Sequence, residues 1–317
     1  MSSLPTTPGT HLREPLITRP LIVLGAPRSG TTMIYQALST HPDLWSLYRE
    51  SQAVIGTYFP AEMTPGSSMV VGADDVDDDT ATAIRRAFYE AVGNVEASHG
   101  AVGRRVPLIV RSRLSGVLTR LGAARKAPPI RMVEKTPDNC FRIQMLLRVF
   151  PDAQFVYVVR DPRGSIASMY RGWTEEARFQ RFELPPGFAI ADYPGTHWCF
   201  GLIPGWEELE GATVMEICAH QWRLYNDYCG RDLPADPDRV LTVRYEDMAA
   251  DPGPVLARLA GWAHLDPGPL DRYSRKLPVV NTWTMPSADK WRKVERELSG
   301  VLPLVATESR RLGYPAA

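Results

Sequence analysis

Residues 21–32 read LIVLGAPRSGTT, and this stretch decides the fold class. Its first four residues form a short apolar run that stops at Gly25, which is typical of a buried β-strand. Apolar residues at helical spacing follow from Thr31 onward: Met33, Ile34, Ala37 and Leu38. We expect that helix to end near His41-Pro42, because the residue before a proline disfavours the α conformation. The pattern predicts a strand, a glycine loop and a helix.

The loop between that strand and helix has the chemistry of an anion site. Glycines let the backbone approach a ligand closely, and amides at a helix start point at an anion with the helix dipole behind them. The spacing resembles a Walker A loop, G-x-x-x-x-G-K-[ST], but Thr31 stands where the lysine should be and Arg28 supplies the cation. We predict that a phosphate or sulfate contacts Pro27, Arg28, Ser29, Gly30, Thr31 and Thr32.

Strands and helices alternate along the rest of the chain. Further strands are predicted at 130–133, 155–159 and 240–243. Helices are predicted over 80–92, 138–149, 162 onward, 213–230, 253–263, 288–299 and 303–312. Such alternation favours an α/β fold with a central parallel sheet and helices on both faces.

Composition excludes several classes of protein. Lys+Arg and Asp+Glu are both 36, so the formal net charge is zero, which argues against a broad basic surface for nucleic acid or an anionic membrane. No apolar run is long enough to span a membrane, and residues 1–20 lack the apolar core of a secretory signal, so we expect a cytoplasmic protein. The four cysteines form no C-x-x-C pair, which favours buried thiols over disulfides or zinc.

The predicted domain organisation is simple. Residues 1–18 are expected to be a flexible N-terminal segment, and 19–317 a single domain. Residues 172–206 are dense in glycine, proline and aromatic residues, which indicates an ordered insertion. The five aspartates within 74–79 are interpreted as a solvated turn and an acidic first helical turn, with a metal site as the alternative. No metal requirement is predicted.

A second anion site is predicted after the third strand. Arg160 ends that strand, and Asp161-Pro162 supplies a favourable N-cap and first residue for the next helix. Ser168 lies two turns into that helix, so both side chains can reach an anion near its start. The alternative is that Arg160 pairs with a carboxylate and that Ser168 only packs.

Taken together, these segments resemble the sulfotransferases that use 3′-phosphoadenosine 5′-phosphosulfate (PAPS), in the branch of the tyrosylprotein sulfotransferases and many bacterial enzymes. GAPRSGTT is similar to the 5′-phosphosulfate loop of that family, and FVYVVRDPRGSIASMY (155–170) to its 3′-phosphate motif. The resemblance implies a P-loop-NTPase-like sulfotransferase fold, PAPS as co-substrate, and a small-molecule, glycan or lipid hydroxyl as acceptor. The cytosolic phenol and hormone enzymes differ, because they have lysine at the position of Arg28.

The resemblance also implies roles for individual residues. Arg160 and Ser168 would hold the 3′-phosphate, and Lys135 in Glu134-Lys135-Thr136-Pro137 would assist sulfuryl transfer together with Arg28. Tyr245 and Lys290 would contact the nucleotide. The catalytic base would be Glu50, one residue out of register with the family's glutamate after a His-Pro. The alternative is a surface ion pair of Glu50 with Arg49 or a lysine.

Other assignments remain open at this stage. His41, His197 and His220 are alternative bases. The insertion and residues 51–120 are expected to shape the acceptor pocket. Arg111, Arg113, Arg120, Arg125 and Lys126 fit either an anionic acceptor or a solvated helix face. The competing functions are a P-loop small-molecule kinase, which requires magnesium for chemistry, and a non-catalytic nucleotide-binding protein.

Overall fold

A parallel sheet forms the centre of the protein in a computed structural model that describes residues 15–47, 50–93, 127–277 and 290–315. Its five strands pair in the order β2-β3-β1-β4-β7, all parallel, and a separate antiparallel pair joins β5 and β6. The strands are β1 (Leu21–Leu24), β2 (Trp45–Ser46), β3 (Met132–Lys135), β4 (Gln154–Val159), β5 (Gln180–Glu183), β6 (His197–Cys199) and β7 (Val240–Arg244).

Helices cover both faces of the sheet. They are α1 (Thr31–Leu38), α2 (Gln52–Ile55), α3 (Asp78–Ala91), α4 (Ile143–Val149), α5 (Pro162–Glu175), α6 (Val214–Asp232), α7 (Tyr245–Ala250), α8 (Pro252–Ala263), α9 (Glu295–Val301) and α10 (Ala306–Arg311). Short 3₁₀ turns are Pro137–Phe141, Ala177–Phe179, Trp206–Leu209, Gly268–Tyr273, Lys290–Val294 and Leu302–Val305.

The two-sided covering follows from the sequence of the central strands. Every residue of β1 and β4 is buried, and successive side chains of a strand point to opposite faces. Ile22 and Leu24 therefore belong to one core cluster, while Leu21 and Val23 belong to the other. Buried strands without a polar face are typical of a parallel sheet covered by helices. The predicted fold class is confirmed.

Several predicted boundaries are wrong, and the predicted helix over 138–149 is a 3₁₀ turn followed by α4. The second main strand runs from Met132 to Lys135, two residues later than predicted, because Val23 of β1 sets the register by pairing with Lys135. Helix α1 ends at Leu38, before His41-Pro42, and the hydroxyls of Ser39 and Thr40 then bond the carbonyls of the last helical turn. Lys135 therefore lies within a strand of the sheet.

The N-terminal boundary also differs from the prediction. Leu16 and Ile17 are buried, and Ile17 forms a parallel bridge with Ile130. The packed part of the chain thus begins before residue 19. The division into one domain stays a prediction.

Aromatic residues between 172 and 206 pack against one another, and the assignment of this segment as an insertion stays a prediction. Trp173, Trp198 and Trp206 are buried, and Trp173 meets Trp198 edge to face with ring centroids 5.2 Å apart. Trp198 belongs to β6, so this cluster packs against the separate β5–β6 pair.

The other predicted features can be placed. The four cysteines are buried free thiols. Asp77 caps α3 by accepting a hydrogen bond from the amide of Thr80 at 2.7 Å, and in the part of the chain that the structure describes no cluster of metal-ligating side chains occurs. The five basic residues Arg111, Arg113, Arg120, Arg125 and Lys126 lie outside the described residues. Within the described ranges, no helix is long and apolar enough to cross a membrane.

Strand order locates the binding crevice. After β1 the chain passes towards β2 on one side, and after β4 it passes towards β7 on the other. Adjacent strands whose connections diverge leave a crevice at their carboxyl ends, where open α/β sheets bind ligands. The glycine loop follows β1 and Arg160 follows β4 at that point.

Candidate active site

The loop from residue 25 to residue 32 joins β1 to α1 in a conformation that needs its glycines. Gly25 has φ +151°, and a Cβ there would lie 2.4 Å from the carbonyl oxygen of Val158 in β4. Gly30 has φ +92°, and a Cβ there would lie 2.5 Å from the ring of Tyr245. Both close approaches exclude a side chain, so the loop can pack against β4 and α7 only with glycine at these positions.

Helix α5 supports the loop from behind. The hydroxyl of Ser165 donates to the carbonyl of Pro27 at 3.1 Å and lies 3.4 Å from the hydroxyl of Ser29. Ser29 is 1% exposed, so its side chain faces α5. Thr31 and Thr32 line the cavity together with Pro27 and Arg28.

Arg28 brings a desolvated cation to the cavity. Its backbone is in the left-handed region, with φ +67°, which turns the side chain towards α5. The Nε donates to the Ser168 hydroxyl at 3.1 Å, and the guanidinium carbon lies 5.0 Å from the ring centre of Phe179. Burial lowers the pKa of Arg28 to about 10, so it remains protonated at neutral pH.

Lys135 and Glu50 form an ion pair in the lining of the cavity. The Nζ of Lys135, at the end of β3, donates to one carboxylate oxygen of Glu50, and Gln52 donates to the other at 2.7 Å. The Lys135 side chain is 7% exposed and that of Glu50 is 37% exposed. The partner of Glu50 is therefore a buried lysine at the carboxyl end of β3, and not a residue of a surface ion pair.

A buried hydrogen-bond network fixes the backbone on both sides of this pair. The Thr136 hydroxyl accepts from the amide of Ser51 at 2.7 Å and donates to the carboxylate of Glu134. Asn139 donates to the second oxygen of that carboxylate at 2.6 Å. Burial raises the pKa of Glu134, although both its oxygens accept hydrogen bonds. Because Ser51 adjoins Glu50 and Thr136 adjoins Lys135, the network holds the ion pair in place.

Arg160 lies directly after β4, where it was predicted. Its guanidinium donates to the carbonyl oxygen of Arg28 at 2.7 Å and stacks 4.1 Å from the ring centre of Tyr245. Burial lowers the pKa of Arg160, while the neighbouring Tyr245 and Glu246 oppose that shift. Arg160, Tyr245 and the glycine loop are therefore brought together.

The C-terminal segment contacts this second region. Glu246 accepts from the amide of Asp161 at 3.0 Å and from the hydroxyl of Tyr314 at 2.7 Å. Ser168 lies nearby on α5 and contacts Arg28 in this structure. Lys290 begins a 3₁₀ turn, and its side chain lies outside the described residues. The nucleotide roles of Ser168, Tyr245 and Lys290 stay predictions.

The cavity is also lined by residues that were not predicted individually as functional. They are Asp138 after β3, Phe179, Arg181 of β5, Phe200 and Tyr225 of α6, and the cavity that they share with Arg28 and Lys135 has a volume of about 220 Å³. Asp138 was detectable in principle, because a residue just past β3 lies at the same sheet edge as Lys135. Phe179, Arg181 and Phe200 belong to the 172–206 insertion, which was expected to shape the acceptor pocket, whereas Tyr225 comes from a distant helix and carries no local signal.

The alternative bases do not line this cavity. His41 is buried, with Nε2 2.9 Å from the carbonyl of Asp266. His197 contacts the hydroxyl of Thr196, and His220 lies on α6 beside Arg223. Of these candidate bases, Glu50 is the one that contacts Lys135 and lines the cavity together with the loop residues.

The sequence is similar to those of known sulfotransferases. The model described as "Sulfotransferase family" matches residues 20–193. The chain is 29% identical over 158 residues to omega-hydroxy-beta-dihydromenaquinone-9 sulfotransferase Stf3 of Mycobacterium bovis and of Mycobacterium tuberculosis, which covers 50% of this chain and 34% of each relative. It is 22% identical over 307 residues to an uncharacterized protein of Aquifex aeolicus, which covers 94% of this chain and 33% of that protein.

The chain thus spans about a third of the length of these curated relatives. Among solved structures it is similar to sulfotransferase STF9 of Mycobacterium avium, with a TM-score of 0.49 and 16% identity, over 95% of this chain and 78% of that one. Since the family match extends over more than half of the chain, the protein belongs to the sulfotransferase family.

Proposed function

We propose that this protein transfers the sulfuryl group of PAPS to a hydroxyl of a small-molecule, carbohydrate or lipid acceptor by in-line displacement. The observation that carries the proposal is the meeting of Arg28, Lys135 and Glu50 in one cavity at the carboxyl edge of the sheet. Two cations beside loop amides fit an anionic leaving group, and a carboxylate next to them fits a base.

The residues present also fit the two anionic groups of PAPS. The glycine loop and Arg28 would hold the 5′-phosphosulfate, and Arg160 with Ser168 the 3′-phosphate. Because Arg160 donates to the carbonyl of Arg28, the region proposed for the 3′-phosphate adjoins the glycine loop. PAPS supplies the activated sulfuryl group.

Side chains of this protein can accept the proton and stabilise the negative charge that the transfer produces. Glu50 would take the proton of the acceptor hydroxyl while the oxygen of that hydroxyl forms a bond to sulfur. The bond from sulfur to the 5′-phosphate breaks, and Arg28 and Lys135 would stabilise the charge that develops there. Positioning and electrostatics would supply most of the rate enhancement, as in phosphoryl transfer.

Similarity to Stf3 supports a hydroxyl acceptor. As its name states, that relative is a sulfotransferase of omega-hydroxy-beta-dihydromenaquinone-9. A hydroxyl-bearing small molecule or lipid is the corresponding proposal for this chain.

The kinase alternative is not favoured by the local contacts. Thr31 occupies the position of the Walker lysine. The carboxylate of Asp161, the acidic residue nearest the end of β4, accepts from the amide and the Nε of Arg163 at 2.9 and 3.0 Å, as a helix N-cap does. We therefore propose that chemistry does not depend on magnesium.

Thermal unfolding with 3′-phosphoadenosine 5′-phosphate (PAP), the expected product, tests the donor assignment. PAP at ~100 times its Kd should stabilise the fold by about 2.7 kcal/mol in magnesium-free buffer. Arg160→Ala should lose this rise in Tm, while Arg296→Ala, whose side chain is 94% exposed, should keep it. An equal response to magnesium-ATP, or no response to PAP, would refute the proposal.

A further inference from the structure

The outer edge of the sheet has a second cavity, which the proposed function does not use. Strand β7 is the last strand of the sheet, and the cavity beside it has a volume of about 570 Å³. The described residues that line it are all different from those that line the candidate active site. We call this cavity the edge groove, and its charged lining residues are Arg244, Asp247, Arg258 and Arg311.

Main-chain carbonyls hold the three arginines of the edge groove. Arg244 donates to the carbonyl of Leu312 at 3.0 Å, and Arg258 donates to that of Thr242 at 3.0 Å. Arg311 donates to a carbonyl of α6 at 2.6 Å. Because a carbonyl carries no net charge, these hydrogen bonds orient the guanidiniums without neutralising them. Within the described ranges, none of the three forms an ion pair with a carboxylate.

Positive charge is in excess in the edge groove. Its described lining contains three arginines and one carboxylate, that of Asp247, which leaves an excess of two positive charges. Asp232, which adjoins the lining residue Leu233, is already engaged, because its Oδ1 lies 2.8 Å from the Nε of Arg231. Arginine does not lose its proton at any pH at which a protein is folded. The groove therefore attracts anions.

The position of Arg311 depends on a glycine. Gly230 lies in α6, and a Cβ there would lie 2.4 Å from the guanidinium carbon of Arg311. A larger residue would push this guanidinium away from the helix. The hydrogen bond of Arg311 to α6 thus requires the close approach that Gly230 permits.

Arg258 protects the edge strand against pairing with another strand. Strand β7 pairs with β4 on one side, and Arg258 occupies the carbonyl of Thr242 in β7. A charged side chain along an edge strand is a common obstacle to strand addition. The groove therefore fits a small ligand better than an added β-strand.

Apolar side chains form much of the remaining lining. Tyr157 and Val159 are buried there, and Leu233, Val240 and Leu312 are half-buried. Ligand sites typically combine such apolar surface with a few polar groups that orient the ligand. An anion with a hydrocarbon body could cover this surface and direct its charge to the guanidiniums, whose planar forks bind phosphate and carboxylate through two N–H groups.

We propose that the edge groove binds an organic anion, in which an apolar body carries a phosphate or carboxylate group. Its arginines supply the counter-charge, and Leu233, Val240 and Leu312 contact the apolar body. The site is separate from the donor and acceptor sites of the proposed function, and the inference does not depend on that function.

Calorimetric titration of the full chain with 1-naphthyl phosphate tests the proposal, with one equivalent of PAP present to fill the donor site. We expect it to bind at least ~10-fold more tightly than 1-naphthol or inorganic phosphate, because each of those has only one half of the recognised chemistry. The probe 1-naphthoate has the same ring system, and the tighter binder of the two organic anions identifies the preferred anionic group. No binding of either organic anion would overturn the inference.

Arg258→Gln and Arg311→Gln locate the site. Each removes one counter-charge from an exposed side chain, so each should weaken binding of 1-naphthyl phosphate by at least ~10-fold. Arg310→Gln is the matched control, because Arg310 is exposed and adjacent but does not line the groove, and it should bind as the parent protein does. The Tm without ligand shows whether each variant is folded, and Arg258→Gln alone decides if Arg311→Gln is not.

Two outcomes would place the ligand in the candidate active site and overturn the inference. One is binding that survives unchanged in the folded variants of Arg258 and Arg311. The other is binding that disappears when PAP is added. Because the variants lie outside the candidate active site, they decide the question whether or not PAP binds, so failure of the proposed function would be recognised separately.

Discussion

Replacing Glu50 by glutamine removes one negative charge from the lining of the cavity and hardly changes the volume of the side chain. The carboxylate accepts from Lys135 through one oxygen and from Gln52 at 2.7 Å through the other. In Glu50→Gln the new carbonyl oxygen can still accept from Lys135, and the Gln52 amide can turn to present its own oxygen. The variant should therefore keep the geometry and lose the proton acceptor.

The size of each effect follows from burial and chemistry. Because the Glu50 side chain is 37% exposed, solvent screens the pair, and we expect its loss to cost about 1 kcal/mol of folding free energy or less. A general base contributes ~10²–10⁴-fold to a rate, so turnover should fall by at least ~100-fold. Affinity for PAP should stay equal or rise, because Lys135 no longer shares its charge with Glu50.

The assay is transfer of labelled sulfuryl from PAPS to a hydroxyl compound that the parent protein sulfates, with PAP affinity measured by calorimetry on the same preparation. Glu183→Gln, which alters an exposed residue of β5, is the matched control and should retain full turnover. Turnover of Glu50→Gln close to that of the parent protein would refute the assignment of the base. Loss of PAP binding together with turnover would mean that Glu50 supports the donor site instead.

Three further predictions concern the surroundings of the cavity. Gly30→Ala should weaken PAP binding in calorimetry by at least ~10-fold, because the new Cβ would lie 2.5 Å from the ring of Tyr245; unchanged affinity would contradict the close packing of the loop. Thr136→Val should lower the free energy of unfolding, measured in urea, by about 1–3 kcal/mol and should lower turnover, because valine leaves the buried partners of the Thr136 hydroxyl unsatisfied. Thr136→Ser should restore both stability and turnover. A valine variant as stable as the parent would disprove this. Ionised Asp138 should stabilise the fold above its unfolded pKa near 3.8, and this stabilisation is lost as pH falls through its lower folded pKa. The free energy of unfolding between about pH 2 and 5 should therefore depend less on pH in Asp138→Asn than in the parent protein. The same pH dependence in both proteins would contradict the pairing with Arg181.

Features formed by residues that are neighbours in the chain could be predicted from the sequence. An apolar run, a glycine and a helical pattern lie next to each other in residues 21–38, so strand, loop and helix could be predicted together. Arg160 could be placed near Arg28 because the carboxyl ends of parallel strands meet at one edge of the sheet, whereas the role of Lys135 depended on the family resemblance. Glu50 depended on the family resemblance, since a loop residue carries no periodicity of its own.

Features that depend on tertiary contacts were missed. Asp138, Arg181 and Tyr225 belong to three segments separated by more than 40 residues each, and no local pattern indicates that they meet. The two-residue strand β2 and the boundaries of β3 depend on register with neighbouring strands. Propensity alone cannot supply a register, because it is set by side chains on other strands.

Arg28 explains why an arginine suits this loop better than the lysine of a Walker motif. Its left-handed backbone directs the carbonyl to Arg160, while the Nε reaches Ser168 on α5 and the guanidinium plane lies against Phe179. A planar group with five donors can bond Ser168 edge-on and still direct other N–H groups elsewhere, whereas an ammonium is a point charge on a flexible stem. Arg28→Lys should therefore keep the charge and lose the orientation: PAP binding should weaken by less than ~10-fold, and turnover should fall by more. Equal losses in both would show that charge alone matters, and the geometric argument would fail.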